Sequence, residues 1–281
     1  MNGMWRLMAC GLLAVATGLL GACSTPPARS SADIQAQGYN TQGMDRYKAG
    51  DLPRALSYFE QALVVARSIE DEEAIAATRL NLAMVHLGMG RQDEALKQLD
   101  AVMDERRLAF SADRRAEAAL RRAMAVQASD PAGAEQALDR AGVLCGNKCS
   151  VRGKILNLKA WLALNGGSPA EGLRFAQQAQ SALAKNDMLE RANALRLQSS
   201  AYIAMKTPAA AVPLLHEALK IDKAAGASGK IHQDLLLLGQ ASADKPELAR
   251  DYWTRARDVA VAAGNAAGSE KEPAWLAGPS P

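Results

Sequence analysis

Few side chains in this chain are spaced for chemistry. Two thiols stand close together in Cys145-Gly146-Asn147-Lys148-Cys149. Such a pair suits half of a zinc site, a redox couple, or a disulfide closing a tight loop. Zinc needs a second pair of ligands, and none follows. A redox couple is expected with two intervening residues beside a βαβ pattern; here there are three and no such pattern. His86, His216 and His232 have no metal-ligand spacing among themselves and stand in no nucleophile motif. His86 follows Met84-Val85 near the end of a helical run, a place for packing or for lining a groove. Gly166-Gly167 precedes a helix but lacks the lysine and the strand of a phosphate loop. Arg106, Arg107, Arg114, Arg115, Arg121 and Arg122 could form a patch for phosphate groups or an acidic partner. Asp104, Glu105, Asp113 and Glu117 lie among them, so a solvated, largely self-neutralised convex surface is the favoured reading. We expect no enzyme, no cofactor and no metal. A formal charge of +3 over 281 residues is too small to imply nucleic acid.

The N-terminus carries an address. Arg6 supplies a positive start, and Leu7 to Leu20 is an uncharged run of 14 residues, shorter than the ~20 a spanning helix needs. Leu20-Gly21-Ala22-Cys23 follows and resembles the bacterial lipobox. The resemblance implies that residues 1–22 are a signal peptide. It also implies that the Cys23 thiol takes a diacylglyceryl group and that palmitate-like acyl chains anchor the protein firmly to a membrane. Ser24 rather than aspartate after the cysteine implies the outer membrane, facing the periplasm. In that oxidising compartment, with Cys10 lost and Cys23 lipidated, Cys145 and Cys149 are the remaining thiols and read as a disulfide. Residues 23–37 are rich in Ser, Thr, Pro and Ala and read as a flexible tether. Residues 265–281, rich in Gly, Ala and Pro, read as a disordered tail that carries Trp275 and Leu276.

Between tether and tail the chain repeats. Pro53, Pro131, Pro169, Pro208 and Pro246 are spaced by 78, 38, 39 and 38 residues, the first interval being one skipped beat. Proline is tolerated in the first turn of a helix, where its missing N–H would be unpaired anyway. Asp130, Ser168 and Thr207 precede three of these prolines as candidate N-caps. Each beat therefore starts a helix. Units of this size cannot bury an apolar face alone and must stack. Low aromatic content (4%) and abundant alanine suit thin, closely packed helices. In the first unit Tyr39, Gly43, Gly50, Asp51, Ala55, Phe59, Ala62 and Leu63 closely resemble the tetratricopeptide pattern. Leu82, Ala83, Gly90, Asp93, Ala95, Leu96 and Leu99 repeat it in the second, and later units keep parts of it. The resemblance implies an all-α, right-handed α-solenoid over residues 38–264. It would hold about six helix-turn-helix units of 38–40 residues, longer than the common ~34. Pro213, inside the second helix of unit five, should kink that helix or delay its start.

In tetratricopeptide arrays the first helix of each unit lines a concave groove. The resemblance places Asn40, Met44, Tyr47, Asn81, Met84, Asn157, Trp161, Asn193 and Arg196 there. Asparagine can both donate to and accept from a peptide backbone, while methionine and tryptophan give adaptable and large apolar contact. The expected function is an outer-membrane scaffold that holds an envelope protein or peptide segment in this groove, serving assembly of a pilus, secretion or cell-wall machine. Type IV pilus pilotins are similar in plan, though their units are nearer the short length. The alternative is a glycan-binding or accessory module for a cell-wall enzyme.

Overall fold

Tight reversals of the backbone set the architecture. Gly50, Gly90 and Gly167 lie at φ +77°, +72° and +76°, a left-handed conformation open to glycine, and each folds one helix back on the last. Lys206 makes the equivalent turn of unit five at φ +60° without that freedom. The computed structural model describes residues 30–146 and 149–264. Among them are twelve α-helices and no strand. These are α1 (Ser31–Lys48), α2 (Leu52–Ser68), α3 (Glu72–Gly88), α4 (Gln92–Met103), α5 (Ala112–Val126) and α6 (Pro131–Cys145). The second half has α7 (Arg152–Asn165), α8 (Pro169–Ala182), α9 (Met188–Ala204), α10 (Ala211–Ala224), α11 (Ser228–Ala241) and α12 (Pro246–Ala262). Each helix packs on the next, and α1, α3, α5, α7, α9 and α11 also touch in succession. The result is a solenoid of six helical hairpins whose first helices stand side by side. None of these helices is long and apolar enough to cross a membrane.

The proline beat marks helix starts. Pro131, Pro169 and Pro246 open α6, α8 and α12, and Pro53 lies in the first turn of α2. Pro208 opens a short 3-10 turn, Pro208–Ala210, and α10 begins only at Ala211. Pro213 therefore falls in the first turn of α10, where its missing N–H leaves no gap. Of the three expected caps only Asp130 acts as one, its carboxylate accepting from the Gly133 N–H at 2.9 Å. Ser168 makes no side-chain cap bond, and Thr207 instead donates its hydroxyl to the Tyr202 carbonyl at 3.1 Å. The helical array begins before the expected residue 38, because α1 already starts at Ser31. Ser30 and Asp33 form a reciprocal capping box there, at 2.8 and 3.0 Å. The expected signal peptide 1–22, the expected lipidation site Cys23 and the expected tail 265–281 lie outside the described residues.

Alanine and glycine let the hairpins close. A Cβ at Gly43 would sit 2.7 Å from the ring of Phe59, which is fully buried between α1 and its neighbours. From Ala36 of α1 to Ile155 of α7 the buried apolar side chains make one continuous cluster. Beyond α7 the core breaks into three smaller clusters, centred on Ala176, on Leu195 and on Leu235.

Candidate functional site

Side chains three and four apart on a helix share a face. On α5, Glu117, Leu120, Arg121 and Met124 share one; on α7, Lys154, Asn157, Leu158 and Trp161; on α9, Glu190, Asn193 and Leu197. Together with Tyr47 of α1, Met84 and Leu87 of α3, and Lys230 of α11, they line one concave cavity of about 730 Å³. All six first helices contribute to it. One part is apolar, with Leu87, Met124 and Trp161 all substantially solvent-exposed (37%, 54% and 39%).

Its polar side is partly self-satisfied. Asn157 is buried, and its amide donates to the backbone carbonyl and to Oε2 of Glu190, both at 3.0 Å, tying α7 to α9. Its Oδ1 has no partner, and neither does Oε1 of Gln127, another residue of the cavity wall. Glu117 and Arg121 are paired at 2.6 Å, and Arg121 also donates to the Leu80 carbonyl at 3.1 Å. The cavity thus offers Lys154, Lys230 and an apolar wall, while the two unpartnered oxygens lie buried behind its surface. Such a surface can take carbonyl or carboxylate oxygens and apolar side chains from an extended chain.

The structure gathers Tyr47, Met84, Asn157, Trp161 and Asn193 at this cavity and places the other expected residues elsewhere. Asn40 donates to Thr78 Oγ1 at 2.9 Å and accepts from Asn81 Nδ2 at 3.2 Å, so both asparagines join α1 to α3. Met44 packs against the main core. Arg196, expected on the groove wall, is buried between Asp222 and Asp234. Conversely, α5 supplies four residues to the cavity although none is expected there, because its arginines suggest an outer surface. The spacing of Glu117, Leu120, Arg121 and Met124 is the signal that could have found them.

Four of the six arginines are taken up in structural bonds. Arg114 pairs with Glu73 and Glu117, and Arg122 with Asp100. Arg115 donates to the carbonyls of Met103, Glu105, Leu108 and Phe110, fastening the loop between α4 and α5. Arg121 faces the cavity rather than a convex surface. His86 is buried, which lowers its pKa from the ordinary value. His216 meets the Tyr252 hydroxyl at 3.3 Å, and His232 meets the Ala256 carbonyl at 2.9 Å, both helix-to-helix contacts. No metal-binding cluster occurs among the described residues. Cys145, the last residue of α6, has its Cα 5.0 Å from that of Cys149, with the two sulfurs in contact.

The tetratricopeptide-repeat family model matches residues 35–107, the first two hairpins. No curated protein matches the chain. Among solved structures, Pseudomonas aeruginosa PilF is 13% identical, with 86% of this chain and 98% of that one covered at a TM-score of 0.59. The apo quorum sensor NprR of B. thuringiensis is 10% identical, with 86% and 75% covered at 0.58. TPR-like repeats of a candidate kinesin light chain from Podosopora anserina are 15% identical, with 71% and 100% covered at 0.52. At these identities the likeness is one of fold: a tetratricopeptide-type solenoid.

Proposed function

We propose that this chain is a lipid-anchored scaffold of the outer membrane, facing the periplasm, which holds a peptide segment of another envelope protein in its concave cavity. The observation that carries the reading is the convergence of all six first helices on one cavity, part apolar and part polar. Tetratricopeptide repeats, matched in the first two hairpins, are interaction modules. The Leu20-Gly21-Ala22-Cys23 sequence supports the lipid anchor at Cys23 and so the address. In that compartment Cys145 and Cys149 are a disulfide that closes the loop after α6. The partner belongs to an assembly machine of the pilus, secretion or cell-wall type.

A photo-reactive residue at position 161, set against one at the exposed Val64 of α2, tests the groove in living cells. One envelope protein captured from position 161, and lost when Asn157→Ala is added, is the expected result. Equal capture from both positions would remove the cavity as the working surface. Cys23→Ser should move the protein from the membrane to the soluble fraction, and its retention at the membrane would refute the anchor.

A further inference from the structure

Arg196 reaches from α9 into the space between α10 and α11. Its Nη2 pairs with Asp222 Oδ2, and its Nε donates to Asp234 Oδ1 at 2.7 Å. The two aspartate side chains are 1% and 0% exposed. One cation therefore faces two buried carboxylates, and full ionisation would leave a negative charge with no counterpart in a poorly polarisable interior. Each carboxylate also keeps one oxygen without a partner: Oδ1 of Asp222 and Oδ2 of Asp234. Both are held by the one guanidinium, so the two carboxyl groups are neighbours. A single proton between them removes both faults. It cancels the excess charge, and it gives one carboxyl an O–H with which to donate to the other.

We propose that Asp222 and Asp234 share one proton, and that with Arg196 they form a pH-sensitive clasp holding α11 to α9 and α10. It adds a regulated joint to the solenoid and stands whatever occupies the cavity. Burial first, and then Asp222 against the pull of Arg196, pushes Asp234 up to about 7. Because the folded value lies above the ordinary 3.8, the native protein holds a proton that the unfolded chain releases between those limits. The clasp is therefore strongest in acid and weakens as the pH rises toward 7, by up to about tenfold in its closing equilibrium per pH unit.

Few other charges reach the cluster. Lys230 of α11 lies in the field of Arg196, Asp222, Asp234 and of Glu190 on α9, and its own pKa is lowered, by desolvation first. On α10, Glu217, Lys220 and Lys223 are exposed, as is His216. The charged side chains of α12 pair among themselves as Arg250–Glu247, Arg255–Asp251 and Arg257–Asp258, while His232 of α11 is engaged with Ala256. The clasp also touches the cavity: Arg196 Nη1 meets Oδ1 of Asn193 at 3.4 Å, and Asn193 and Lys230 line its wall.

Hydrogen exchange on the full chain, corrected for the intrinsic pH dependence of exchange, tests this. Between pH 5 and pH 7 the opening of α11 should rise by up to about a hundredfold relative to α2 and α3. Asp234→Asn supplies a permanent donor to Asp222 and should hold α11 at pH 7 as firmly as the native chain does at pH 5. Equal opening of α11 at both pH values would overturn the clasp, as would an Asp234→Asn chain that keeps the full pH response. Should that variant fail to fold, infrared spectroscopy of the native chain decides. A protonated-carboxyl C=O band at pH 6 that fades by pH 8 is expected, and its absence at pH 6 refutes the shared proton.

Discussion

The first three hairpins and the last two are built to one plan and held by different forces. From α1 to α7 the interior is a single apolar cluster, with Phe59, Leu80, Leu82, Leu99 and Leu138 each at most 2% exposed. Around α9, α10 and α11 the apolar clusters are small, and Arg196, Gln198, Ser199, Asp222 and Asp234 are buried among them. Apolar contact is indifferent to pH and to small changes of angle. A buried ion cluster depends on geometry and on its proton count. The comparison teaches that helical hairpins need only to exclude water between them, and that a stack can place its adjustable joint wherever polar groups satisfy one another.

The two interiors predict different failures. Phe59→Ala carries the largest expected effect, a loss of about 4 kcal/mol, because the cavity beside Gly43 is lined by backbone that cannot collapse into it. Chemical denaturation should show the loss, with little dependence on pH. Arg196→Met should cost about 3 kcal/mol near neutral pH by stranding two buried carboxylates. Its loss should shrink in acid, where both can be protonated, and hydrogen exchange should confine it to α9, α10 and α11. Equal damage to α2 and α3 would show that the halves are not separable. The smallest effect is a gain. Lys206→Gly relieves the left-handed backbone at φ +60° and should stabilise the protein by about 0.5–1 kcal/mol in the same denaturation assay.

Much of the architecture is legible in the order of residues alone. Prolines at a steady beat, glycines at the reversals and the apolar stripe from Ala55 to Ala66 announce six hairpins, and the structure has six. The capping box at Ser30 is equally legible as a Ser followed three residues later by an acid, yet composition points to a tether instead. The cavity is only half legible. Trp161 and Asn157 are expected at it and are there, while Asn40, at the same place in its unit as Asn157, is spent with Asn81 joining α1 to α3. Nothing in the local sequence separates these asparagines. Which way each one faces depends on how far its helix is rotated against the next, a difference of one residue, or about a third of a turn.

The sequence by itself determined the kind of fold, the number of units and where α2, α6, α8 and α12 start. Those follow from short-range rules: proline lacks an N–H, glycine tolerates positive φ, and an apolar stripe at helical spacing must be covered. Only the tertiary structure decided that Arg196 leaves the groove for a place between two aspartates 26 and 38 residues away. It also decided that Arg121 enters the groove, and that the continuous core ends near α7. Those outcomes are set by the packing angles of neighbouring helices, which are the summed result of many side-chain contacts and are written in no single stretch of chain.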